Sequence, residues 1–324
     1  GGISLGRLLC LLIVAAFGMH LVDPRRFNCT WPWFGLQVAA SVFLTFAHRL
    51  YRSIEFAGDK KVNQIRMAEA ALAEALWKGS ERAKVDARQS LLKLGWSDKQ
   101  FEQKVREVER SQSENAGVSV AYLISSAFRQ LAQDRTDKPD PTFLDMKDPF
   151  WFLEDPIGAD IICPRDGKPG CALVDTLAYE HRKKCTHFLS WVWSYKLSIV
   201  TSALDLWVEQ KGLIPNETFL FVCFFVNNQF RIFEGSSQGS NFLGDSFERS
   251  LRRIGKVVAL LDDWNSPVYL TRVWTIFEQY TAVKLDLPVT IILSKNSVES
   301  LLRVIGQGER GIVQLKNSLC QVNA

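Results

Sequence analysis

The sequence predicts an α/β fold: a parallel sheet with helices on both faces, preceded by an all-α region that carries a transmembrane hairpin. Three observations lead there. After Lys184, strand-length apolar runs alternate with stretches whose apolar residues recur at helical spacing, the pattern of βαβ units. Between residues 53 and 133 the chain is charged and rich in strong helix formers. Before that stand two runs without a charged residue, 8–19 and 31–47.

Composition agrees with a folded chain. Of 324 residues, 47% are hydrophobic and 23% charged, which excludes wholesale disorder, collagen-like repeats and a polytopic membrane protein. The excess of 39 basic over 35 acidic residues, a net charge of +4, is too small to point to nucleic acid. Seven cysteines without a CxxC pair indicate neither a disulfide framework nor a zinc site, and no metal ligands are assigned.

Residues 1–52 read as a helical hairpin in the membrane. Each uncharged run is a little short of the ~20 residues a spanning helix needs. Trp31, Trp33 and Tyr51 suit an interfacial aromatic belt, and Pro24, Arg25 and Arg26 stand in the link. The alternatives are two buried core helices, or a signal peptide followed by a core helix. Arg49, Arg52, Lys60, Lys61 and Arg66 follow the second run. The positive-inside bias then sets the rest of the chain in the cytosol, with the lipid bilayer as a partner.

Residues 53–133 read as charged helices. A helix over 67–76 ends at Gly79, another stops at Gly95, and Ser97-Asp98-Lys99-Gln100 opens a third whose apolar face carries Phe101, Val105 and Val108. This is a small helical bundle or a self-associating stalk, or else a solvated connector. Residues 134–180 read as a linker with Pro139, Pro141 and Pro149. It includes the turn-rich string CPRDGKPGC at 163–171, which lacks the G-x-x-x-x-G-K-[ST] spacing of a phosphate cradle. A structural loop that brings Cys163 and Cys171 together is the better reading.

Residues 181–324 carry the sheet. Strands are expected over 186–191, 218–226, 257–261 and 288–293, with helices over 196–210, 247–254 and 269–283 and from 298 onward. In such sheets ligands bind beyond the carboxyl ends of the strands. That rim carries Ser190, Trp191, Asn227, Asn228, Asp262, Asp263 and Ser294. Asp262-Asp263 suits either a cap of the next turn or a Mg²⁺ site. His187 suits a structural role within a strand.

The segment from Arg272 to Gln279 is more informative. Trp274 and Glu278 are one helical turn apart and share a face. Trp274 and Phe277 are expected to hold this helix on the sheet. Glu278 is a carboxylate in a mostly apolar helix, where burial raises a carboxyl pKa. It is either a catalytic group or one half of an ion pair with Arg272 or another base.

These residues resemble the Toll/interleukin-1 receptor (TIR) domain, a flavodoxin-like α/β fold. Thr186-His187-Phe188-Leu189-Ser190 is similar to its first strand. Phe247, Leu251 and Ile254, followed by the string VVALL at 257–261, are similar to its second helix and third strand. Ser266 followed by Trp274-x-x-x-Glu278 is similar to its Ser-x-Trp-Cys-x-x-Glu-Leu pattern. The spacing from Ser266 to Trp274 is longer than usual, and Cys185 and Thr186 stand where that family has an Asp. About 110 residues are covered. The chain is also similar to membrane-associated proteins of protists, especially dinoflagellates, that share the strings CPRDG, THFLSW, CFFVNNQ, ALLD and RVWTIFEQ.

Many TIR domains cleave the nicotinamide–ribosyl bond of NAD⁺, and others are pure interaction modules. The resemblance therefore implies a signalling domain that self-associates, with NAD as a substrate and no bound cofactor. Glu278 takes the place of the catalytic glutamate. By position, Trp191 or Trp193 would stack on a ring of the nucleotide, Arg231 would meet its pyrophosphate, and Ser190, Asn227 and Trp274 would complete the binding set.

Overall fold

The structure is a computed structural model in which residues 31–234 and 240–321 are described. The chain forms two compact units. One comprises Gly1–Leu72 with Val85–Ser97, the other Ala73–Lys84 with Asp98–Ala324.

The described part of the first unit is helical. The 48-residue helix α1 (Trp31–Lys78) begins with the uncharged run at 31–47, and α2 (Glu81–Lys93) follows after Gly79. Within the first unit Ala68, Leu72, Ala87 and Leu91 are buried. The side chains of Val42, Phe43, Phe46, Leu50 and Tyr51 are exposed. Among the described residues no helix is long and apolar enough to cross a membrane. The run at 8–19 lies outside the described residues.

The second unit is α/β. In chain order it contains α3 (Asp98–Asn115), β1 (Ala116–Ser119), α4 (Val120–Leu123), α5 (Ser126–Thr136), α6 (Phe143–Trp151), β2 (Arg182–Lys184) and β3 (His187–Ser190). Then come α7 (Leu197–Lys211), β4 (Phe219–Phe221), α8 (Cys223–Val226), α9 (Gln229–Glu234) and α10 (Ser240–Ile254). The unit closes with β5 (Val257–Leu261), α11 (Val273–Lys284), β6 (Val289–Leu293), α12 (Lys295–Ile305) and α13 (Glu309–Gln321). The six strands stand in the order β2-β1-β4-β3-β5-β6.

The sheet is mixed, where the sequence suggested a parallel one. The strands β4, β3, β5 and β6 are parallel. β1 runs antiparallel to both β4 and β2. From β3 the chain crosses to β4 on one side, then returns to β5 on the other side of β3. This reversal leaves a crevice outside the carboxyl ends of the strands.

Three departures from the sequence reading have physical causes. β1 falls inside the expected run of helices. It is only four residues long, too short to show a period, and Gly117 is the reason it can pair so closely: a Cβ there would stand 2.9 Å from the Leu220 carbonyl oxygen. The strand expected over 218–226 stops at Phe221. The amides of Phe225 and Val226 both bond the Val222 carbonyl, at 2.8 and 2.9 Å, and wind Cys223–Val226 into a helical turn. A wholly apolar run carries no period, so a buried turn and a buried strand read alike.

The third departure is the expected linker, which supplies core. Thr142 caps α6 in a capping box. Its hydroxyl accepts from the Asp145 amide at 3.1 Å, and the Asp145 carboxylate accepts from the Thr142 amide at 2.9 Å. Phe143, Met146, Phe150 and Trp151 follow on the buried side. The rings of Phe143, Phe150 and Trp151 lie 5.2, 5.6 and 4.6 Å from that of Phe224. Thr142→Ala is expected to lower stability by about 1 kcal/mol, read as a lower denaturant midpoint at unchanged slope.

Candidate functional site

The site is built where β3 ends. Side chains alternate along a strand, so Phe188 and Ser190 share the face opposite to that of Leu189. After β5 a 3-10 turn, Val268–Thr271, leads into α11. No side chain caps this helix. Instead the Thr275 hydroxyl back-bonds the carbonyls of Tyr269 and Arg272 and ties the helix start to the turn.

One turn into α11, Glu278 is buried, with 7% of its surface exposed. The Ser190 hydroxyl donates to its Oε2. The Tyr269 hydroxyl is hydrogen-bonded to the same Ser190 oxygen, and Gln279 Nε2 donates to Tyr269 at 2.5 Å. Burial raises the Glu278 pKa to about 7, against the opposing pull of the Ser190 hydroxyl and the Trp274 side chain. Arg272 is exposed, and among the described residues Glu278 has no cationic partner. The ion-pair alternative is therefore not found. Ser190→Ala removes the donor that stabilises the ionised form. It is expected to move the Glu278 titration upward by ~1 pH unit, measured by carboxyl ¹³C chemical shift.

Glu278 lines a cleft of about 410 Å³. The aromatic lining is Phe188, Phe221, Phe247 and Trp274. Phe188 and Phe221 stack at 5.2 Å, and Phe247 meets Trp274 at 5.7 Å. Trp274 is 48% exposed: it lines the cleft and does not clamp the helix to the sheet as the sequence suggested. The polar lining includes Arg165, Asp166, Asn227 and Arg231.

Of the residues expected at the site, Glu278, Asn227, Arg231 and Trp274 thus line one cleft, with Ser190 bonded beneath the carboxylate. Trp191 and Trp193 do not line it. Trp191 is buried with its ring 4.2 Å from Phe143. Trp193 donates from Nε1 to the Cys223 sulfur at 3.3 Å. Arg231 is held by the 163–171 loop: its Nε lies 2.7 Å from Asp166 Oδ2, and its Nη2 donates to the Pro169 carbonyl at 2.8 Å.

Several lining residues were not anticipated. Cys163, Arg165 and Asp166 reach the cleft from that loop, whose only signal in sequence was its density of Pro and Gly. Asn228 anchors it by donating to the Gly170 carbonyl at 2.8 Å. Cys223 also lines the cleft, but burial pushes its thiol up to about 11, so it stays protonated and is a poor nucleophile.

The remaining candidates have structural roles. Asp262 accepts from the Val268 amide at 3.0 Å and Asp263 from the Trp264 amide at 2.7 Å, so both hold loop backbone. Among the described residues no group of three metal-ligating side chains is found. His187 packs edge-on to Trp207 at 5.2 Å, and burial lowers its pKa. Comparison with known protein families, with curated proteins and with solved structures finds no match for this chain.

Proposed function

We propose that the second unit is a TIR-like signalling domain that hydrolyses the nicotinamide–ribosyl bond of NAD⁺, with Glu278 as the catalytic carboxylate. One observation carries this reading: a buried carboxylate with no cationic partner among the described residues, its pKa raised to about 7, lines an aromatic-walled cleft beside a strand end. The strand order around β3 supports a flavodoxin-like sheet with its ligand crevice at that point.

The chemistry follows from the residues. The bond from ribose C1′ to the pyridinium nitrogen breaks, and its electron pair leaves with nicotinamide. Water forms the new C1′–oxygen bond and releases a proton. Nicotinamide departs neutral, so no acid is needed. The carboxylate instead stabilises the oxocarbenium-like ribose, as in glycosidases. Its ionised form is the working one. Nicotinamide release from NAD⁺ by the full chain is therefore expected to rise with pH through about 7 and then level off. No release at any pH, or a profile that falls across that range, counts against the reading.

The anchor belongs to the same proposal. The uncharged runs at 8–19 and 31–47 and the exposed apolar side chains near the start of α1 support contact with lipid. On this proposal the protein sits at a membrane with the α/β unit on the cytosolic side. Flotation of the full chain with liposomes tests it, and recovery in the lipid-free fraction opposes it.

A second reading is a non-enzymatic interaction module of the same fold. Val273, Ile276, Tyr280 and Val283 recur at helical spacing along α11 and are 83, 49, 64 and 73% exposed. An apolar stripe of this kind suits self-association. Under this reading nicotinamide release is absent, while Tyr280→Glu reduces self-association in sedimentation.

A further inference from the structure

The 163–171 loop adds a cation to the cleft that the catalytic reading does not use. Arg165 lines the cleft and is fixed from behind. Its Nε donates to the Ser113 hydroxyl at 2.8 Å and its Nη2 to the Ser113 carbonyl at 2.9 Å. Ser113, at the end of α3, is itself buried, and its hydroxyl donates to Asp175 Oδ2 at 2.8 Å. Arg165 Nη1 has no hydrogen-bond partner among the described residues.

The neighbouring charges are already committed to each other. Asp166 takes Arg231 Nε at 2.7 Å and the Lys168 amide at 3.0 Å, and these partners hold its carboxyl down to about 2. That pair is neutral as a unit. Arg165 makes no direct ion pair among the described residues: Asp175, whose carboxyl feels its charge, is bridged to it by the Ser113 hydroxyl behind the cleft. The Asn227 carboxamide, also in the lining, has no partner among the described residues either.

A guanidinium held by two bonds loses little freedom when it takes an anion, and its fork matches phosphate oxygens. The aromatic lining offers a flat ring its face. A cleft of about 410 Å³ is of the size that holds a small ligand. We propose that Arg165 is the anion-binding residue of this cleft, with Asn227 as a second polar contact, and that the ligand is of the nucleoside diphosphate class. The base lies on the aromatic lining and the phosphates on Arg165. This rests on the reading of the cleft as a nucleotide site, but not on hydrolysis.

Calorimetric titration of the full chain with ADP, adenosine and inorganic pyrophosphate tests it. ADP is expected to bind at least about tenfold more tightly than adenosine, and the gap is expected to shrink as salt is raised. Pyrophosphate alone is expected to bind more weakly than ADP, because it leaves the aromatic lining empty. Arg165→Gln is expected to bring ADP down to the level of adenosine, and Arg165→Lys to keep part of the gap.

The assignment is overturned if the unaltered chain binds ADP no better than adenosine, or if pyrophosphate matches ADP. It is equally overturned if folded Arg165→Gln keeps the gap. Should that variant not fold, the unaltered chain decides: a gap insensitive to salt removes the cation from the explanation. Nicotinamide release is read separately. An ADP preference without release keeps the anion site and removes the catalysis, and release without an ADP preference removes the anion site alone.

Discussion

Glu278→Gln is expected to lower nicotinamide release by at least about a hundredfold while leaving the fold intact. The amide is nearly isosteric and keeps an oxygen that accepts from Ser190. It carries no charge to set against the ribosyl cation. The same substitution has a second, opposite signature in stability. Burial raises the Glu278 pKa from 4.5 to about 7, so the folded state prefers the protonated form. The stability linked to this group is fully present below the ordinary carboxyl pKa and is lost as pH rises through about 7, amounting to on the order of 3 kcal/mol. Above that pH the variant is expected to unfold at a higher temperature than the unaltered chain. The difference should close toward pH 4.5. A variant that is inactive yet less stable at high pH would mean that the carboxylate was held by a favourable charge contact, which contradicts its environment.

Phe224→Ala is expected to cost about 3–5 kcal/mol, the largest stability loss among the changes considered. Phe224 is fully buried. Its ring meets Phe143, Phe150 and Trp151 from α6, and also Trp193 at 5.3 Å and Phe225 at 5.6 Å. Truncation empties the centre of this cluster, and rings held by several elements cannot all relax inward. Denaturant unfolding reads the loss directly. A cost below about 1 kcal/mol, the size of an ordinary surface change, would mean that α6 is a peripheral attachment.

The parts of the fold that were legible in sequence are those where local pattern and tertiary setting agree. The run at 257–261 is wholly apolar because β5 is flanked by β3 and β6 and is covered on both faces. Gly79, Gly95 and Gly212 follow helices with positive φ, each where the sequence calls for a helix to stop. Illegible were the elements defined by partners distant in the chain. β1 exists because Leu220 and Lys184 bracket it, and α6 was hidden by Pro139 and Pro141 just ahead of it and Pro149 within it. The same holds at the site. Glu278 and Trp274 announce themselves by spacing along one helix. Arg165 comes from a loop about a hundred residues earlier, and its tether, Ser113, is 52 residues earlier still. Trp191 and Trp193 misled because an aromatic residue just past a strand end serves a ligand or the next layer of core equally well, and α6 supplied that layer.

The antiparallel addition on one side of the sheet changes where this protein can be cut. β1 pairs with β4 through Val118 and Ser119, and β2 closes the far side of β1. A shortened chain that starts at residue 181 would retain every parallel strand, yet leave the backbone groups of Phe219 and Leu220 without their neighbours. Bare strand margins of this kind recruit other chains. Such a fragment should therefore precipitate or form ladders on expression, whereas one that starts at residue 98 keeps the margin covered.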